Sequence, residues 1–379
     1  MDKNYSFQKL ILYFFKLGTI GFGGPIALVG YMQRDLVEKR AWLTKEQYLR
    51  GLALSQLSPG PLAAQLAIYI GYIKAKLIGA TLVGLAFVLP SFVMVVILGF
   101  LYKTYGGLSW MQALFYGIGA AVIAIIAKSS YKLTKTTCGE KKLLWTIFLV
   151  IFGITAFTGK EIIWLLLLGG AVAMAVYEPP KFLRKAPTAL MALIAWPALQ
   201  HNEHLKNLSD IFFFFLKASF FVFGSGLAIV PFLHSGVIDQ LHWLNQRQFL
   251  DAVAVAMITP GPVVITVGFI GYLVEGFTGA VVAAIAIFFP VWLIIVVATP
   301  YYEKFATNLK VKAFVGGITA ATCGAIAGAV IILGKSSIKD IPTTLIALIT
   351  LGLLIKYKIP EPILIGLSGI AGLLILHFR

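Results

Sequence analysis

The chain states one motif twice, 201 residues apart. Lys16–Pro61 carries Phe22-Gly23-Gly24-Pro25, Trp42-Leu43 and Ser58-Pro59-Gly60-Pro61. Lys217–Pro262 carries Phe223-Gly224-Ser225-Gly226, Trp243-Leu244 and Thr259-Pro260-Gly261-Pro262. After a one-residue slip the offset holds at 200, pairing Ile70-Gly71-Tyr72 with Ile270-Gly271-Tyr272, Pro90 with Pro290, and Gly117-Ile118 with Gly317-Ile318. The chain is therefore a duplicated unit, and both copies keep Gly/Pro interruptions inside apolar stretches. In membrane transporters, interrupted segments at matching places in two halves point to the binding site.

Composition places the duplicated unit in a membrane. Of 379 residues, 59% are hydrophobic and only 12% charged, against about 25% charged in a soluble domain. Apolar runs at Leu77–Leu101, Leu108–Ala127, Leu143–Phe157 and Ile162–Val176 recur as Thr278–Thr299, Ala313–Leu333, Thr343–Ile355 and Ile363–Leu376. A crossing takes roughly 20 apolar residues, fewer where the bilayer thins. The expected fold is an all-α polytopic membrane protein, with residues 1–178 and 208–379 as transporter repeats and 179–207 as linker. The N-terminus shows no basic region followed by a small-residue cleavage site, so no removed signal peptide is expected.

Loop charge orients the copies. Arg34–Arg50 carries five basic residues and its counterpart Ser235–Asp251 only Arg247. Lys128–Lys142 carries five and Gly328–Pro342 two, whereas Thr299–Lys312 carries three against Lys103 alone in the first half. Basic loops stay cytoplasmic, so the bias predicts an inverted-topology repeat. Keeping Arg34–Arg50 and Lys128–Lys142 on one side requires Gly51–Tyr72 to dip in and return at Ser58–Pro61 as a re-entrant hairpin. Such backbone is tolerated only where protein shields it or a wet cavity receives it. Residues 7–31 could cross or re-enter. The net charge of +16 fits the positive-inside bias and, secondarily, attraction of anions to an entrance. Nucleic acid is not an expected partner, because the basic residues are scattered over loops.

A Pro-Gly-Pro triplet ends one helix and can begin another. The new helix starts with free N–H groups and a partial positive charge, which suit an oxyanion. This makes Gly23, Gly24, Pro25, Pro59, Gly60 and Pro61 candidate substrate-binding residues, with Gly224, Ser225, Gly226, Pro260, Gly261 and Pro262 in the second copy. Ser58 and Thr259, directly before the triplets, offer hydroxyls that could cap a helix or meet a ligand oxygen. A plain kink is the alternative, which four breaks in two symmetric pairs disfavour. Lys16 and Lys217 are matched cations in apolar surroundings, either counter-charges for an anion or side chains snorkelling to the headgroups. Gln56 and Gln65 flank the first triplet only. Gln56 joins the candidates because an amide donor there makes the site asymmetric; helix–helix hydrogen bonding is the other reading of both.

The Trp-Leu pairs read as interfacial anchors, and Glu161 and Glu361 as first-turn acids able in principle to carry a proton. Five histidines and two cysteines show no metal-ligand spacing. No phosphate-binding loop is present. The chain is read as neither an enzyme nor a holder of a metal or cofactor.

Phe15-Lys16-Leu17-Gly18 leading into Gly21-Phe22-Gly23-Gly24-Pro25, with Trp42-Leu43, Ser55-Gln56-Leu57-Ser58-Pro59-Gly60-Pro61 and Ile70-Gly71-Tyr72, resembles the chromate transporter (CHR) family. Phe223-Gly224-Ser225-Gly226 and Thr259-Pro260-Gly261-Pro262 extend the likeness to its long, two-domain form. The resemblance implies an integral protein of the bacterial inner membrane that exports chromate and confers resistance, with proton coupling as the usual proposal and sulfate as a look-alike ligand. Import or exchange of sulfate, an anion channel, and a homodimeric assembly stay open. The second copy departs from the first in having Gly224-Ser225-Gly226 where the first has Gly23-Gly24-Pro25, so the halves are expected to contribute unequally.

Overall fold

Each half opens with two helical hairpins that turn back partway. The computed structural model describes residues 6–22, 24–158, 163–178, 203–223, 226–301, 308–357 and 359–377, and among them every regular element is helical. α1 (Phe7–Ile20) leads into α2 (Gly24–Met32), which wide turns prolong over Gln33–Lys39. Tyr13 Oη donates to the Tyr31 carbonyl (3.4 Å), and a Cβ on Gly21 would lie 2.6 Å from Leu28, so α2 runs back along α1. At 14 residues α1 is about 21 Å long, short of a ~30 Å hydrocarbon layer. Residues 7–31 are thus a helix pair rather than one continuous spanning helix.

α3 (Lys45–Leu57) begins at a capping box between Thr44 and Gln47 and ends at the first triplet. α4 (Leu62–Tyr105) follows, but Ala75 (φ −144°, ψ 33°) and Lys76 (φ 51°, ψ −134°) fold it into two arms, 62–74 and 77–105. A Cβ on Gly51 would strike Tyr69 at 2.2 Å and Leu66 at 3.0 Å, so α3 and the first arm are antiparallel. The chain thus makes a hairpin at Ser58–Pro61, where the charge pattern called for a return. The two arms are antiparallel as well. Gly71 and Gly79 meet backbone to backbone, and a Cβ on either would sit 2.2 or 2.0 Å from the other's carbonyl oxygen.

The second half repeats the plan. α8 (Glu203–Ser219) begins inside the expected linker, and α9 (Ile229–His234) follows a short 3-10 turn at Gly226–Ala228. α10 (Gln246–Ile258) carries its own capping box from Asn245 and ends at the second triplet. α11 (Thr266–Ala298) folds at Glu275 and Gly276, with Gly271 against Gly279.

After its folded helix each half adds three further helices. These are α5 (Ser109–Cys138), α6 (Lys142–Thr158) and α7 (Ile163–Tyr177), then α12 (Leu309–Ser337), α13 (Ile341–Tyr357) and α14 (Glu361–His377). The long arm of α4 exposes Ile78, Leu82, Leu85, Leu89, Val93, Ile97 and Phe100 as one stripe. That stripe is about 33 Å long at 1.5 Å per residue, which matches the hydrocarbon layer.

The last two helices of each half are exchanged. α6 and α7 pack on α12 of the other half, with Gly324 against the Phe148 carbonyl and Gly169 against Gly317. Reciprocally, α14 packs on α5 through Gly117 against Ser368 and Gly372 against Ala113, and Lys128 Nζ donates to the Leu354 carbonyl of α13 (2.6 Å). Small residues at these crossings let backbones approach where lipid offers no hydrophobic drive.

Contacts between α4 and α11 fix the sense of the repeat. Ser91 lies against Gly261, Val95 against Gly268 and Gly99 against Tyr272, so the long arm of α4 runs parallel to the chain from 261 to 272. The long arm of α11 is antiparallel to that stretch, hence antiparallel to the long arm of α4. Equivalent spanning helices point in opposite directions, and the repeat is inverted.

Candidate substrate site at the four interruptions

The interruptions of one half are bonded to those of the other. Gly60 donates its backbone N–H to the Val222 carbonyl (2.6 Å), and Gly261 donates to the Gly21 carbonyl (3.0 Å). Gly60 and Gly261 are repeat equivalents, as are Gly21 and Val222, so one contact is made twice about the pseudo-two-fold. The same relation places Gly60 against Val291 and Gly261 against Ser91, beside Pro290 and Pro90 in the long arms. Gly226 lies against Val263, joining the two interruptions of the second half. Both triplet glycines have positive φ (135° and 96°), which few other residues adopt. Gly23, Gly224 and Ser225 lie outside the described residues. Gly24, in the left-handed region (φ 73°), and Pro25 open α2.

The first arm of α4 starts at this meeting point. Its opening residues Leu62, Ala63 and Ala64 are buried (6%, 2% and 0% exposed), and Pro61 at the cap provides no side-chain hydrogen bond. A buried helix start presents donors that need a partner, together with the positive end of the helix dipole. The second copy differs. Val263–Ile265 forms a 3-10 turn before α11, and Thr266 Oγ1 donates to the Val263 carbonyl (2.7 Å). The halves thus offer unequal ends to the shared space.

Ser58 and Thr259 are both buried at the ends of α3 and α10. Neither caps the helix that follows; Thr259 Oγ1 donates backward to the Ala256 carbonyl (3.1 Å). Pro59, Pro260 and Pro262 complete the triplets between the same helix ends. Gln65 is fully buried, and its Nε2 donates to the carbonyls of Ser58 (3.1 Å) and Pro59 (2.7 Å), tying the first triplet to the arm that leaves it. Its Oε1 is buried without a partner. Gln56 is exposed.

Lys16 and Lys217 are not brought to the meeting point. Both are exposed on the outer faces of α1 and α8; Lys16 lies with Leu12, Phe15 and Ile20, opposite the face that Phe14, Leu17 and Gly18 bury. Trp42 meets Tyr13 edge to face beneath the Arg40 guanidinium (4.7 Å), and Trp243 packs on Phe214 and Phe215. The Trp-Leu pairs thereby pin each first hairpin closed. Glu361 opens α14, and Glu161 lies outside the described residues. Among the described residues no group of His, Cys, Asp and Glu could hold a metal ion.

One polar group of consequence was not singled out by the sequence. Asp251 is 3% exposed, in α10 two turns before the second triplet, and accepts a hydrogen bond from Tyr102 Oη of the long arm of α4 (2.6 Å). The signal was available: a lone acid in Phe249-Leu250-Asp251-Ala252-Val253. An ionisable residue in an apolar segment is a functional candidate by default.

Comparisons with known proteins agree with this architecture. The sequence profile of the family described as Chromate transporter matches residues 8–174 and 209–373. The "Chromate transport protein" of Cupriavidus metallidurans is 56% identical, over 97% of this chain and 93% of its own length. The "Probable chromate transport protein" of Synechococcus elongatus is 54% identical, over 98% of this chain and 96% of its own. A "Chromate transport protein" of Pseudomonas aeruginosa is 28% identical over 98% and 92%. No solved structure matches the chain. These relatives are named as transport proteins rather than enzymes, and with both halves matched the chain is an integral membrane protein that belongs to the chromate transporter family.

Proposed function

We propose that the chain is a secondary transporter that carries chromate out of the cytoplasm, across a bacterial inner membrane, and so confers resistance. Residues 1–178 and 208–379 act as its two carrier halves. The observation that carries this reading is the reciprocal pair Gly60–Val222 and Gly261–Gly21, which joins the interruptions of inverted halves at one place. The tetrahedral anion is received there by the buried first turn of α4 and by backbone freed at the breaks. Rocking of one half against the other exposes the site to each side in turn. An inside-negative potential assists outward movement of a divalent anion by about 2.3 kcal/mol per charge per 100 mV.

Asp251 is the proposed proton carrier. It lies in the hairpin that ends at the second triplet, and its bond to Tyr102 links its charge to the packing of α10 on α4. Sulfate matches chromate in shape and charge, so a site of backbone donors admits both.

Flux of labelled chromate into everted vesicles tests the proposal. Vesicles with the wild-type chain accumulate chromate, faster with an imposed proton gradient, and excess sulfate slows uptake. Gly261→Ala puts a Cβ at a positive φ and 2.0 Å from Ser91 Oγ, and is expected to lower flux at least tenfold. Asp251→Asn is expected to leave flux insensitive to the gradient. Uptake no greater than in vesicles lacking the chain overturns the transport reading; a proton-sensitive Asp251→Asn overturns the assignment of the carrier.

A further inference from the structure

A cavity of about 690 Å³ lies apart from the four interruptions, between α5 of the first half and α10, α12 and α14 of the second. Its volume is in the range of roughly 300–1,000 Å³ usual for ligand sites. Its walls come from the start of α5, the start of α10 and the ends of α12 and α14. The opposite end of α5 carries the basic cluster Lys128–Lys142, so the cavity faces the side away from the basic loops, which is the outer side.

The walls are cationic and rich in donors. Arg247 donates to Gln112 through both terminal nitrogens (3.3 Å to Oε1, 3.2 Å to the carbonyl), bridging the halves across the cavity. A guanidinium has five N–H donors, so this bridge leaves others to offer. Lys339 adds a second cation. Two further groups are buried without any partner: Gln246 Nε2, whose amide oxygen is already engaged by His234 (2.9 Å), and Ser337 Oγ. An amide N–H₂ can only donate, and a buried donor left unmet costs about 1–3 kcal/mol. Two such groups beside two cations call for an acceptor-rich, negatively charged occupant. The acids nearby are already bonded, Asp251 to Tyr102 and Asp340 to Tyr116 (2.5 Å).

We propose that this cavity is a second binding site for a small dissolved oxyanion, held by Arg247, Lys339, Gln246 and Ser337 on the outer side of the central site. The inference rests on the transport reading and extends it. Asp251 lines the inner wall, eight residues before Thr259 and so about 12 Å from the second triplet along α10. An anion released outward from the interruptions would enter this chamber next. Repeat equivalents of Arg247 and Asp251 in the first half are Glu46 and Arg50, joined to each other by a salt bridge. The outer chamber is therefore not copied by the duplication, which gives the carrier unlike sides.

Equilibrium binding of labelled chromate to the purified full chain in neutral detergent tests it. The wild type is expected to bind two anions per chain. Lys339→Gln with Ser337→Ala, and separately Gln246→Glu, are each expected to bind one, with thermal unfolding midpoints near wild type to show that the fold is intact. Added anionic phospholipid is expected to leave the wild-type count at two, because the occupant is dissolved anion rather than a lipid headgroup. One anion per chain in wild type and variants alike overturns the second site while leaving the central one standing. Loss of both anions in folded variants shows a single continuous site, and also overturns it. No binding to the wild type at all overturns the transport reading itself.

Discussion

Lys76 holds a backbone conformation that its counterpart assigns to glycine. Its dihedrals (φ 51°, ψ −134°) match those of Gly276 (φ 61°, ψ −148°) at the same turn of the second half. A side chain in this region costs on the order of 1–3 kcal/mol, part of which glycine returns through its freer unfolded chain. Lys76→Gly is therefore expected to stabilise the protein by about 1 kcal/mol, read as a raised unfolding midpoint in detergent. Residue-level chemistry was only partly legible in the sequence. Thr259 and Ser58 stand at the breaks as their position implied, yet Thr259 serves the helix behind it, because a hydroxyl three residues after a carbonyl closes a local bond first. Lys16 sits among apolar neighbours in sequence, but helical periodicity turns it to the outer face with Leu12 and Ile20. Gln65 read as a ligand donor or, slightly better, as a structural amide between helices. Only the fold shows it holding the carbonyls of Ser58 and Pro59, with one oxygen left over.

At the scale of elements, the Pro-Gly-Pro breaks were legible because proline and glycine act locally on the backbone. The fold at Ala75–Lys76 was not. Lys74-Ala75-Lys76 contains none of the usual turn residues, and glycine marks the spot only in the second copy, at Gly276. The turn is imposed from further away, by Gly71 and Gly79, whose missing side chains allow the arms to touch backbone to backbone. A Cβ on Gly71 would lie 2.2 Å from the Gly79 carbonyl oxygen, with backbone on both sides and nothing flexible to yield. Gly71→Leu is expected to spread the arms and cost more than 3 kcal/mol, in the range of severe overpacking and strain. It should fail to give a monodisperse protein on size exclusion. Gly30, with open space around it, provides the contrast: Gly30→Ala is expected to leave yield and elution unchanged. The same logic explains how residues 7–31 turn back. The interruption at 21–24 marks the turn, but the pairing of Tyr13 with Tyr31 depends on α1 and α2 meeting in space.

For the whole molecule, the duplication and the swing of loop charge carried the architecture, since both survive in the linear chain. What they could not carry is which helices of the two halves touch. That follows from glycines such as Gly117, Gly324 and Gly372, which read as ordinary small residues until their partners are known. The exchange of α6 and α7 for α13 and α14 makes the halves mutually dependent: each supplies the cover for the other's long helix. Inversion has a direct consequence for the starts of equivalent helices. Leu108 and Leu309 are both exposed at the starts of equivalent helices, α5 and α12, and antiparallel arms place them on opposite sides of the membrane. The native cysteines, Cys138 and Cys323, are buried and give a quiet background for thiol labelling. Leu108→Cys is expected to react with a membrane-impermeant maleimide in intact cells, and Leu309→Cys only after permeabilisation. Labelling of both from the same side would make the repeat parallel. The chamber with Arg247 and Lys339 would then lose its outward assignment, and the reciprocal glycine contacts would no longer lie on an axis within the membrane plane.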